Sequence, residues 1–289
     1  MKKIEYSWAI VTGATSGIGE CICYELAKKK VNIVLCGRDE VRLREIQNNL
    51  EKSYDIKTDS YSGDLVEDGG PERLVKTMGG RYHIQFLFNN AGAGNYGPFL
   101  DYSLKEHMNI IDLNIKALTR LTYLLIGHMR AHGKESYIAN VSSIAAYLTV
   151  PFFGLYTGSK KYVKDLTDTL RYEFKGSNIS FTTIYPGPTE TNFFHHANQK
   201  VNSLGRHFMD SPEKVARLGV KATLQKKRSC LIGLTGKLSA AYSFLPNSIL
   251  IPAAHAVMQA GSSYNEKSKS LESKNEVNSF DNDDPGQLQ

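Results

Sequence analysis

Tyr156 and Lys160 stand four residues apart, a spacing that places both on one face of a helix. A free phenol titrates near ~10, too high to ionise readily at neutral pH, and a neighbouring ammonium stabilises the phenolate and lowers that value. The pair suits general acid–base work on an oxygen that gains negative charge, as a ketone oxygen does when hydride reaches its carbon. Alone, a Tyr and a Lys at helical spacing are common surface decoration. What gives them meaning is the set of elements that must hold them.

The first of these is a glycine turn. Thr12-Gly13-Ala14-Thr15-Ser16-Gly17-Ile18-Gly19 follows a strand-like run and opens at once into a helical pattern from Glu20. Small residues there let the chain turn sharply, admit a pyrophosphate to the backbone and pack the helix close to the sheet. The spacing is not that of a nucleoside-triphosphate loop. The second strand ends Leu35-Cys36-Gly37-Arg38-Asp39. An acid at this strand end holds the ribose diol of NAD, whereas Arg accommodates a 2′-phosphate. Gly37 leaves the acid position empty, Arg38 follows it, and Asp39 reads as an N-cap of the next helix. NADP(H) is therefore the expected cofactor, ahead of NAD(H).

Along the chain, short apolar runs alternate with longer helical patterns, the signal of parallel strands joined by crossover helices. Strands are expected near 6–12, 31–36, 56–63, 84–89, 135–142, 178–185 and 228–233. Amphipathic stretches fall near 17–30, 39–52, 70–78, 103–132, 157–175 and 212–226, the last opened by the capping sequence Asp210-Ser211-Pro212-Glu213. The expected fold is α/β: a doubly wound, Rossmann-type parallel sheet of about seven strands with helices on both faces, as one domain over 1–261.

Taken in order, these segments resemble the short-chain dehydrogenase/reductase family in its single-domain branch. Thr12-Gly13-x-x-x-Gly17-x-Gly19 is similar to the family's glycine turn, and Asn89-Asn90-Ala91-Gly92 to its Asn-Asn-Ala-Gly motif. Asn114 matches a helix asparagine, Ser143 precedes Tyr156-x-x-x-Lys160, and Tyr185-Pro186-Gly187-Pro188-Thr189-Glu190-Thr191 resembles the Pro-Gly segment. The resemblance implies nicotinamide cofactor use and dimers or tetramers. It assigns Ser143 to orienting a substrate oxygen and Asn114 to holding a water in a proton relay. Asp64 and Leu65 would contact adenine. Asn90, with Ala91 and Gly92, would line the cofactor beside Thr15, Ser16 and Ile18. Past Pro186 and Gly187, Thr189 and Thr191 would hold its carboxamide and phosphate end. Many NADP-using members place a basic residue where this chain has Ser16, so the phosphate would rest mainly on Arg38.

The implied function is ketone–alcohol interconversion, with reduction of a hydrophobic 3-ketoacyl, sphingoid or steroid-like substrate expected. The rival is a catalytically silent NADP(H)-binding regulatory protein, whose mark would be a broken Ser-Tyr-Lys set; here the set is intact. A substrate lid is expected over about 189–210, carrying Phe193, Phe194, Leu204 and Phe208. The apolar segment 238–260, broken by Pro246 and Pro252, suits covering a long substrate, peripheral contact with a membrane or a subunit interface, but not a spanning helix.

Bulk composition is that of a globular chain: 289 residues, 41% hydrophobic, 22% charged. The net charge of +6 sits on the body, because residues 262–289 carry three lysines against six acids. That polar tail is expected to be disordered. No nucleic-acid motif accompanies the basic body. Cys21, Cys23, Cys36 and Cys230 lack metal or redox spacing, and His195-His196 lacks a third ligand, so no metal site is expected. With no signal-like start, the expected compartment is the cytoplasm.

Overall fold

The computed structural model describes residues 6–233, 236, 241 and 245–264. The expected tail from 265 on, and Leu238, Tyr242 and Phe244 of the apolar segment, lie outside the described residues. No helix among the described residues is long and apolar enough to cross a membrane.

Strands β1 (Trp8–Thr12), β2 (Asn32–Gly37), β3 (Thr58–Ser62), β4 (Ile84–Asn89), β5 (Ser136–Val141), β6 (Ile179–Tyr185) and β8 (Ser229–Leu231) form one seven-stranded sheet in the order β3-β2-β1-β4-β5-β6-β8. The described pairings are all parallel. Alternation along each strand decides which face a residue serves. Ala9 and Val11, Ile33 and Leu35, Phe86 and Phe88 enter one core, closed by Ile22 and Leu26 of α1 (Gly17–Ala27) and by Val215 and Val220 of α9 (Pro212–Leu224). Ile10, Val34, Cys36 and Leu87 enter the other, against Leu74 and Met78 of α3 (Gly70–Gly79) and Leu121, Leu125 and Met129 of α5 (Leu118–His132). Strands that bury both faces cannot show the polar–apolar alternation of an edge sheet, which is why they read as continuous apolar runs.

Helix starts are set by local chemistry. Asp39 caps α2 (Glu40–Ser53) by accepting from Arg42 N at 3.0 Å, and Ser211 caps α9 by accepting from Lys214 N at 3.2 Å. The stretch expected as one helix over 103–132 is α4 (Leu104–Ile111), a π-helical segment Asp112–Ala117, and α5. The Asn114 side chain, inside this π-helical segment, bonds outside its own helix.

The order of strands reverses between β1 and β4, so the loops leaving those two strands diverge and open a crevice at the carboxyl edge of the sheet. Over it lies a cover made of α7 (Phe193–His196), β7 (Gln199–Val201), α8 (Ser203–His207) and α10 (Asn247–Gly261). β9 (Ser262–Tyr264) pairs antiparallel with β7, so the chain remains structured three residues past the composition boundary at Gly261. Two short strands far apart in sequence leave no periodic signal.

Candidate active site

The crevice floor is built by the first turn. Gly13 and Gly17 take φ of 65° and 54°, a region that side chains disfavour. A Cβ on Gly19 would lie 2.1 Å from Gly13 O, so only glycine lets α1 start this close to the turn. Thr12 ties the turn to the next loop: its Oγ1 accepts from Asn90 N and Ala91 N, both at 3.0 Å. Asn90 Nδ2 returns to Thr12 O at 3.0 Å. Ser16 is the N-cap of α1 but makes no side-chain capping bond, so the first amides of the helix face the crevice uncapped, as an anion site requires. Thr191 packs over this turn, with its methyl 2.8 Å from where a Gly17 Cβ would sit.

Past β2, Gly37 makes room for Thr15, whose methyl would lie 2.6 Å from a Cβ there. The Arg38 side chain is 79% exposed, its guanidinium 3.7 Å from the Asp64 carboxylate. Asp64 also accepts from Val66 N at 3.0 Å, which fixes the loop after β3. These residues fit a phosphorylated dinucleotide: uncapped helix amides, close backbone approach, and one exposed cation at the end of β2.

At the other end of the crevice β5 runs out into two serines with different fates. Ser142 is buried and donates to Lys160 O at 2.7 Å, which pins it to α6 (Gly154–Glu173). The Ser143 hydroxyl accepts from Ala145 N at 3.1 Å and hydrogen-bonds the Tyr156 phenol. Tyr156 and Lys160 are both buried on the inner face of α6. Lys160 Nζ donates to Val141 O at 3.0 Å and stands 5.6 Å from the Tyr156 ring centroid.

The electrostatics depart from the sequence expectation. Burial pushes the Tyr156 phenol up to about 12, with the Ser143 hydrogen bond opposing it. Burial pulls the Lys160 ammonium down to about 8. In a dry wall, loss of hydration by each charged form outweighs their mutual attraction. The tyrosine is therefore a loaded proton donor at neutral pH rather than a near-phenolate.

Asn114 packs behind the crevice wall. It is 1% exposed and does not line the crevice. Its Nδ2 donates to Ala93 O at 2.8 Å and Ser159 Oγ at 2.9 Å, while its Oδ1 accepts from Ala93 N at 2.9 Å. The side chain is a brace between the π-helical turn, α6 and the loop after β4, with no donor left for a water. Gly92 lies at the junction, where a Cβ would be 3.1 Å from Lys160 Nζ and 3.3 Å from Asn114 Oδ1.

Pro186 accepts from Ile144 N at 3.0 Å, and Thr189 Oγ1 donates to Gly187 O at 2.9 Å. One cavity of about 1500 Å³ joins these parts, running from Gly17, Arg38, Asp64 and Leu65 past Asn90, Ser143 and Tyr156 to an apolar end. Gly13, Thr15, Ser16, Ile18, Ala91, Gly92, Lys160, Pro186, Gly187, Thr189 and Thr191 also line it, whereas Gly19 packs behind Gly13. The apolar end is walled by Val150, Phe193, Leu204, Leu250 and Met258.

Two residues escaped the sequence reading. Phe153 stacks on Tyr156 with centroids 4.4 Å apart and planes at 19°; its position one helical turn before the tyrosine was the available signal. Gln199 lines the cavity from β7, and nothing in its local sequence marks it.

The model of the short chain dehydrogenase family matches residues 7–202. The rat very-long-chain 3-oxoacyl-CoA reductase is 30% identical over 186 residues, covering 62% of this chain and 58% of that protein. The chain thus matches under two-thirds of that relative's length. Mouse 17-beta-hydroxysteroid dehydrogenase type 3 is 28% identical over 218 residues, covering 74% and 70%. Among solved structures, a short-chain dehydrogenase from Sphingobium yanoikuyae in complex with NADPH superposes with a TM-score of 0.74 at 22% identity, covering 81% of this chain and 91% of that one. A member from Burkholderia phymatum in complex with NAD gives 0.76 at 21% identity, covering 86% and 95%. The family match over most of the chain, on a sheet of this order, leads to one statement: the chain belongs to the short-chain dehydrogenase family.

Proposed function

We propose that the chain is an NADP(H)-dependent oxidoreductase that reduces the ketone of a hydrophobic substrate to a secondary alcohol. The observation that carries the reading is the position of the Ser143–Tyr156–Lys160 wall, which joins a dinucleotide-shaped crevice to an apolar pocket within one cavity. Relatives named as a 3-oxoacyl-CoA reductase and a hydroxysteroid dehydrogenase support a large apolar ketone.

The uncapped amides of Gly17 and Ile18, with Thr15, Ser16 and Thr191, would hold the pyrophosphate. Asp64 and Leu65 would hold adenine, Asn90, Ala91 and Gly92 the middle of the molecule, and Pro186, Gly187 and Thr189 the carboxamide end. Arg38 would take the 2′-phosphate, since Gly37 offers no acid to a ribose diol. When bound, this cofactor supplies the hydride for the ketone carbon.

The chain supplies the proton. Ser143 Oγ and the Tyr156 phenol donate to the ketone oxygen and orient it. As that oxygen gains charge, Tyr156 transfers its proton to it and is left as phenolate. Lys160, whose Nζ donates to Val141 O and stands 5.6 Å from the ring centroid, would stabilise that phenolate as an ammonium until a proton from solvent restores the phenol. Phe153 covers one face of the phenol ring and keeps water from competing for that proton. Asn114 holds α6 and the loop after β4 in register.

The direct test is NADPH oxidation across a panel of 3-oxoacyl, steroid and small ketones. Turnover of the large apolar members is expected, and absence of turnover with every member overturns the proposal.

A further inference from the structure

Phe193 opens α7 in the cover, and its side chain lines the cavity. Its ring centroid lies 5.2 Å from that of Tyr156, with the planes at 48°, and 6.4 Å from that of Phe153. Phe153 itself stacks on Tyr156 at 4.4 Å, so the Phe153–Phe193 separation is too short for the two rings to sandwich the tyrosine. Phe193 instead comes in from the side. The three rings meet at Gly94, in the loop after β4. A Cβ there would lie 2.9 Å from Phe153 Cε2, 3.0 Å from Tyr156 Cδ2 and 3.1 Å from Phe193 Cζ. Tyr156 thus belongs to a cluster separate from the two cores that flank the sheet. Its buried members are Tyr96, Val150, Phe153 and Tyr156, with Phe193 and Met258 packed on them from the cover.

The short helix that carries Phe193 is held at both ends. Phe193 N donates to Thr191 Oγ1 at 3.4 Å, beside the glycine turn. Just past the helix, Ala197 O accepts from Tyr96 N at 2.9 Å, and Tyr96 meets Phe153 edge-on at 5.8 Å. A general acid delivers its proton from a narrow range of positions, and misplacement by about 1 Å can cost on the order of 100-fold. The Ser143 hydrogen bond holds the phenol at its oxygen, but the ring behind that oxygen keeps its place through packing. Phe153 supplies that packing on one face and Phe193 on the flank.

We propose that Phe193 is a positioning residue for proton transfer: seated from the cover, it stops the Tyr156 ring from swinging sideways and shields the phenol from water in the cavity. This rests on the ketone-reductase reading above. It gives the cover a part in catalysis as well as in holding substrate, because the proton donor is complete only where α7 is seated. Removing the ring would let water reach the phenolate. Burial is the chief cause of the raised phenol, so a wetter phenol should ionise more readily.

The test separates an effect through the phenol from an effect on substrate. In Phe193→Ala, kcat with the best ketone of the panel should fall about 10- to 100-fold, while NADPH binding stays within about two-fold of wild type. The same substitution made in Tyr156→Phe should cost less than about two-fold further in single-turnover NADPH oxidation, since the phenol through which it acts is gone. Phe193→Leu, which refills the flank in part, should restore part of kcat, and it carries every comparison if the alanine variant fails to fold. Independently of turnover, the full chain is labelled with 3-fluorotyrosine and its fluorine resonances are followed against pH. The Tyr156 line, identified by its loss in Tyr156→Phe, should titrate about one pH unit or more lower in Phe193→Ala. An unchanged kcat, an equal cost in both backgrounds or an unmoved Tyr156 titration overturns the positioning role. A shifted titration in a protein that turns over no ketone leaves the seating of Tyr156 by Phe193 standing and overturns the reductase reading instead.

Discussion

Gly19→Ala adds one methyl group, and the structure dictates what it meets. The new Cβ would lie 2.1 Å from Gly13 O and 2.5 Å from Asn90 Nδ2. Both are held, the first by a turn at φ 65° and the second by its bond to Thr12 O, so neither can swing aside. The helix start must retreat from the turn by roughly 1 Å, an overpacking cost of about 1–3 kcal/mol. Loss of the 3.3 Å Asn90 Nδ2 bond to Gly13 O adds about 1 kcal/mol, and the better helix propensity of alanine returns about 1 kcal/mol. A net loss of about 2 kcal/mol lowers Tm by roughly 4–8 °C for a domain of this size. The displaced atoms are the amides proposed to hold the pyrophosphate, so NADPH affinity should fall about ten-fold or more. The assay is differential scanning fluorimetry with and without NADPH, beside a fluorescence titration. Gly158→Ala is the control: it is exposed on α6 with nothing within 4 Å of a Cβ and should gain about 0.5–1 kcal/mol. If Gly19→Ala melts with the control and binds NADPH as wild type does, the account of the turn is wrong.

Three further outcomes follow from the site. Arg38→Ala should weaken NADPH by about ten-fold while leaving NADH within two-fold; equal loss for both cofactors in paired titrations removes the arginine from 2′-phosphate recognition. Ser142→Ala deletes the buried bond to Lys160 O and should lower stability by about 1 kcal/mol in urea melts with turnover largely kept, whereas Ser143→Ala should lower kcat about 100-fold with little change in stability; the reverse pattern contradicts the assignment. Lys160 carries its proton below about 8, and stabilising the Tyr156 phenolate needs the charged form. Reduction should therefore be flat at lower pH and fall as pH rises through about 8; a kcat profile flat to pH ~10 would remove the Lys160 ammonium from stabilising the phenolate.

Much of the sheet was legible because strands buried on both faces declare themselves as apolar runs: Trp8–Thr12 falls within the range read from sequence, and Asn32–Gly37 overruns its range, 31–36, by one residue. The glycine turn was legible because its constraint is local. What stayed hidden depends on tertiary partners. The π-helical turn at Asn114 coincides with side-chain bonds to Ala93 and Ser159, twenty-one and forty-five residues away. That the neighbouring Ser142 turns its hydroxyl to α6, while Ser143 keeps its own beside Tyr156, depends on the fold. The raised phenol of Tyr156 could not be read from the nearness of Lys160, since burial rather than spacing governs it. The pairing of Gln199–Val201 with Ser262–Tyr264 joins segments whose polar composition resembles a loop and a tail.

The central claim is that Tyr156 gives the proton, and Tyr156→Phe tests it most directly because only the phenolic oxygen is removed. The ring should keep its stack with Phe153. NADPH binding by fluorescence titration should stay within two-fold of wild type, while single-turnover NADPH oxidation with the best ketone of the panel falls by about 100- to 10,000-fold. Oxidation at a rate within three-fold of wild type, with binding intact, would contradict the account.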